Sequence, residues 1–121
     1  MNSRAYNIIG IIVACLLLFA SCGQQYKAEQ TAKAFVEENM EQPEKITDRD
    51  FADIGTTRHI SDSLITVMRQ RGAEGFKKGI KYSEIPQGDL IYLRMQYVKD
   101  GDTLSNTFYL DEELASIVAF K

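Results

Sequence analysis

Between Leu90 and Leu110 two alternating runs of apolar and polar residues flank the dipeptide Asp100-Gly101, and no other stretch constrains the fold as much. Asp-Gly at the centre of a two-residue loop favours a type I′ turn, whose central residues both take positive φ. The register then follows by counting outward: Lys99 faces Asp102, Val98 faces Thr103, Tyr97 faces Leu104, Leu93 faces Phe108 and Ile91 faces Leu110. One face carries Ile91, Leu93, Met95, Tyr97, Leu104, Phe108 and Leu110; the other carries Tyr92, Arg94, Gln96, Ser105, Thr107 and Tyr109. A slip of one residue would mix the two faces, so the register is well specified. An apolar sheet face of this size needs a covering layer.

That layer is written upstream. Ala28, Ala32, Phe35, Val36 and Met40 follow the i, i+4, i+7, i+8, i+12 spacing of one helical face, and Pro43 ends the helix near Gln42. Ser61-Asp62-Ser63 supplies cap oxygens ahead of Leu64, Ile65 and Met68, with Gly72 placed as a C-cap, which predicts a short second helix. Residues 46–60 read as extended and irregular before Phe51. The stretch from Gly72 to Gly79, with three glycines and Phe76 as its one large apolar residue, reads as a loosely specified connection. Ile80 and Tyr82 alternate with Lys81 and Ser83 as a strand would before Pro86, and Ile117 to Phe120 reads as an edge strand. The sum is an α+β domain: an N-terminal amphipathic helix packed on a curved antiparallel sheet of three to five strands, plus a short second helix.

The N-terminal segment sets an address. Arg4 precedes an apolar stretch of about 13 residues, Ile8 to Ala20, interrupted only by Gly10 and followed by polar Gly23-Gln24-Gln25. A spanning helix needs roughly 20 residues, so a secretory signal fits better than a permanent span. The string Leu18-Phe19-Ala20-Ser21-Cys22 resembles the lipobox of bacterial lipoproteins: an aliphatic residue, two small residues and a cysteine, with Phe19 departing from the usual leucine. The resemblance implies removal of residues 1–21 and lipidation of Cys22, then a polar tether over 23–27 reaching at most roughly 17 Å, then a single domain over 28–121. It also implies a membrane partner held through lipid on Cys22. Gly23 rather than Asp follows the cysteine, which by resemblance to familiar lipoprotein sorting rules implies the outer membrane over the inner one, with the domain in the periplasm or at the cell surface.

With Arg4 removed, the formal net charge of −3 becomes −4, which argues against nucleic acid as a partner. Cys22 and Cys15 are the two cysteines, so after processing no thiol is left for a disulfide or a metal site, and stability must come from packing. The helix over Ala28 to Met40, the Asp100-Gly101 hairpin and the string Phe108-Tyr109-Leu110-Asp111-Glu112-Glu113-Leu114 resemble small bacterial lipoproteins with a cystatin-like or NTF2-like domain. Those fold groups contain enzymes, inhibitors and carrier domains, so the fold does not give the function.

The chemistry is sparse. His59, the only histidine, has Ser61, Asp62 and Ser63 for neighbours, but residues adjacent in sequence do not converge as a triad does, and a helix cap explains the same serines. No catalytic residue, metal site or cofactor is expected. Tyr92, Arg94 and Tyr109 form the candidate binding face, since tyrosine and arginine are enriched where proteins bind partners. The expectation is a non-catalytic binding domain for an envelope protein or peptide. The alternatives are a small-molecule-binding or hydrolytic domain using His59 or Arg94, and a structural role in envelope assembly.

Overall fold

The Asp100-Gly101 turn forms as its residues dictate, with φ of 52° and 81°. The computed structural model describes residues 22–58 and 60–121; the expected signal segment and His59 lie outside the described residues. The two strands that the turn joins, β3 (Leu90–Lys99) and β4 (Asp102–Leu110), pair over their whole length in the register counted from sequence, from Ile91 opposite Leu110 to Lys99 opposite Asp102. Around them stand β1 (Thr47–Phe51) and β2 (Gly55–Thr57), both paired with β3, and β5 (Ile117–Phe120), paired with β4. All pairings in this five-stranded sheet are antiparallel.

Helix α1, residues 22–39, lays Ala28, Ala32 and Val36, all fully buried, against the inner face of the sheet, whose Leu93, Met95, Tyr97, Phe108 and Leu110 complete the main core. Phe35 reaches from α1 into a ring cluster, 5.3 Å from Phe120 and 5.9 Å from Phe108. The tether expected over 23–27 is helical instead. Gln25 explains the difference: its side-chain amide donates to the Ala52 carbonyl at 3.0 Å and accepts from the Ile54 N–H at 2.8 Å, filling the gap between β1 and β2. The first turns of α1 are thereby fastened to the sheet edge.

Helix α2 (Asp62–Arg71) begins and ends as expected. The Ser61 side chain accepts from the Leu64 N–H, and Gly72 closes the last turn at φ 59°. Its placement differs from the expectation that one sheet face would serve both helices. Ile65 and Met68 pack on the outer face, over Leu90, Tyr109, Val118 and Ala119. A bulge in β5 makes this possible: Leu110 pairs with Ile117 but Tyr109 with Ala119, leaving Val118 as the additional residue. Val118 and Ala119 therefore join the α2 side, while Ile117 and Phe120 belong to the α1 side. All four residues of an edge strand are buried.

Two segments depart from the reading of the sequence. The glycine-rich connection is anchored: Phe76, 5% exposed, sits 4.6 Å from Phe120, and the Glu41 and Lys77 N–H groups donate to the Gly75 and Asn39 carbonyls. Residues 80–83 are irregular rather than a strand. Arg69 takes the position a ladder would need, donating from Nε to the Val118 carbonyl at 2.7 Å and from a terminal nitrogen to the Ser83 carbonyl at 2.9 Å. Its guanidinium also lies 4.6 Å from the centre of the Tyr82 ring. The free edge of β5 is thus covered by a side chain, which protects it from pairing with another chain.

Candidate functional site

Cys22, exposed, stands in the first described turn of α1. Beside it is an open cleft of about 790 Å³ bordered by Tyr26, Glu29, Ile54, Gly55, Thr56 and Ile91. Tyr26 is 66% exposed, so the end of the molecule nearest Cys22 presents an amphipathic ring to the surroundings.

The tyrosines of the candidate binding face pair in register, Tyr92 opposite Tyr109, but their side chains part. Tyr92, 40% exposed, leans over Gly55 so closely that a Cβ there would collide with its ring. Tyr109 is buried beneath α2, and the Lys121 ammonium lies 6.0 Å from its ring centre. Tyr109 therefore offers no open surface, because α2 covers it from the outer face instead of sharing the inner face with α1. Tyr92 and Arg94 remain exposed on the uncovered part of the outer face, in rows continued by Thr107, Gln96, Ser105 and Asp50.

A third place was not singled out from sequence. The inner-face row that carries Tyr97 also carries Asn106, opposite Met95, and Asn106 is 6% exposed. The buried Tyr97 hydroxyl donates to Asn106 Oδ1 at 2.6 Å, and burial raises the Tyr97 hydroxyl above its usual pKa, keeping it a donor. Among the described residues Asn106 Nδ2 reaches only the Lys121 carbonyl, at 3.4 Å. The signal was in the sequence: an amide at an inner-face position of an otherwise apolar row needs partners. This pair lies at the floor of a cleft of about 410 Å³ bounded by the Asp100-Gly101 hairpin and residues 73–75.

Among the described residues no group of three or more His, Cys, Asp or Glu side chains is placed to hold a metal ion, and the one ion pair is Arg49 with Glu37 at 2.9 Å. Arg94, the other half of the hydrolytic alternative, stands on an exposed strand face. No protein-family model matches the chain, and no curated protein or solved structure matches it.

Proposed function

We propose that the chain is a lipid-anchored protein of the bacterial cell envelope whose single domain binds a partner and catalyses no reaction. The observation that carries the anchor is the order Leu18-Phe19-Ala20-Ser21-Cys22 behind an apolar run of signal length, together with an exposed Cys22. Three acyl chains on one cysteine hold far more firmly than one, since each buried methylene contributes about 0.8 kcal/mol. Among the described residues no helix is long and apolar enough to cross a membrane. The partner surface in this reading is the exposed part of the outer face around Tyr92 and Arg94, with Tyr109 serving the core.

Intact mass of the protein purified from membranes tests the anchor: the expected species lacks residues 1–21 and carries acyl chains. A Cys22→Ser protein that is still processed and still sediments with membranes refutes it. The partner surface is tested by crosslinking in the native envelope with wild type and a Tyr92→Ala, Arg94→Ala variant. Recovery of the same crosslinked species from both rejects this face.

A further inference from the structure

The inner face of the sheet is longer than the helix that covers it. Helix α1 ends at residue 39, while β3 and β4 continue to the turn at Asp100-Gly101, so the hairpin tip overhangs. Leu104 records this: it belongs to the inner row, opposite Tyr97, yet is 42% exposed. The space beneath the overhang is the cleft of about 410 Å³, within the size range of small-ligand sites.

Its lining sorts into three kinds of group. Met40, Ala73 and Leu104 give an apolar wall. Asn106 and Tyr97 give a polar floor whose polarity is fixed, because the Tyr97 hydroxyl occupies Asn106 Oδ1 and leaves N–H capacity on Nδ2 beyond the long contact to Lys121. The rim carries Lys99 with Glu74, Asp100 and Asp102, charges of both signs, none of them in an ion pair among the described residues, while Lys121 borders the cleft through its backbone, its ammonium lying by Tyr109 on the other face. Unpaired charges of opposite sign around a buried amide and an apolar wall complement a ligand with the same three features.

We propose that this cleft binds a small zwitterion, a free amino acid with an aliphatic side chain. Its carboxylate faces Lys99 and the Asn106 amide, its ammonium faces Asp102 and Glu74, and its side chain lies on Leu104 and Met40. Gly75, at φ 85°, closes the cleft opposite the hairpin and lies against Lys99, since a Cβ there would stand 3.4 Å from the Lys99 Nζ. The site is independent of lipidation and of the Tyr92 and Arg94 face.

The test is a titration of the full-length protein with L-leucine, 4-methylpentanoate, which lacks the ammonium, and 3-methylbutylamine, which lacks the carboxylate. The readouts are calorimetry and the side-chain amide resonances of Asn106. Leucine saturates with a Kd of about 1 mM or tighter, shifts the Asn106 amide, and binds at least about tenfold more tightly than either analogue. Lys99→Met and Asp102→Asn each weaken leucine about tenfold while leaving the urea midpoint unchanged, which separates loss of the site from loss of the fold. Absence of saturable leucine binding overturns the proposal. So does equal binding of 4-methylpentanoate, which marks a simple anion site, or binding that Lys99→Met and Asp102→Asn leave untouched.

Discussion

Replacing Phe76 by alanine tests whether the glycine-rich connection is a bound part of the core or a loose link. Phe76 is 5% exposed, and its ring lies 4.6 Å from Phe120 and 6.3 Å from Phe35, so truncation empties a ring-sized volume between α1 and β5. Buried phenylalanine truncations cost about 3 to 5 kcal/mol, the spread reflecting how far the site collapses. Gly75, which carries no side chain, allows the adjoining backbone to settle inward, which places the expected cost at the lower end, about 3 kcal/mol. In a domain of about 100 residues each kcal/mol lowers Tm by about 4–8 °C, so the variant melts at least about 12 °C below wild type. Urea denaturation supplies the free energy, with an unchanged slope showing that the loss is one of native stability. Hydrogen exchange supplies the location: the Glu41 and Lys77 amides, bonded to the Gly75 and Asn39 carbonyls, lose protection first. A cost below about 1 kcal/mol, the range of ordinary surface substitutions, would refute the assignment of this segment to the core.

Two tyrosine hydroxyls predict opposite outcomes. Tyr97→Phe leaves the buried Asn106 Oδ1 without its donor and costs about 1–3 kcal/mol, whereas the buried Tyr82 hydroxyl has no hydrogen-bond partner among the described residues, so Tyr82→Phe is neutral or stabilising by up to about 1 kcal/mol; urea midpoints decide both. Burial raises both hydroxyls above the ordinary value of 10.0, with Arg69 opposing part of the rise at Tyr82. The unfolded chain therefore ionises first. Their contribution to stability is complete below pH 10 and is lost as pH rises through the folded values, so Tm falls above that pH, and falls less steeply in Tyr82→Phe. Gly55→Ala forces the Tyr92 ring off β2 and costs about 1–3 kcal/mol, the range for overpacking, whereas the double variant with Tyr92→Ala recovers part of that loss; thermal melts of the single and double variants check the coupling.

The hairpin was legible down to single residue pairs because its turn chemistry and its alternation are local and agree with each other. Capping made α2 legible in the same way, through Ser61 and Gly72. The edge strands were less so. Thr47–Phe51 contains three charged side chains and a bulge at Asp48, where φ is 54°, and Gly55–Thr57 has no apolar residue, so both are held by β3 rather than by their own pattern. Ile80 and Tyr82 alternate for a different reason: both pack on the core from an irregular segment whose neighbouring strand edge is already taken by Arg69. The Tyr92, Arg94 and Tyr109 face was half legible. Register placed the three on one side of the sheet, but only the β5 bulge, a non-local detail, provides the apolar bed that brings α2 over Tyr109.

The Gln25 clamp has a mechanical consequence. A pull applied at residue 22 meets no slack: it loads the axis of α1 and, through one amide, the backbone of the sheet at Ala52 and Ile54. Rupture there would require the helix to slide lengthwise along its Ala28, Ala32 and Val36 stripe, a shearing of many contacts at once rather than the opening of one bond after another. Whatever holds residue 22 therefore sets the tilt of the whole domain, as a rigid bracket does and a leash does not.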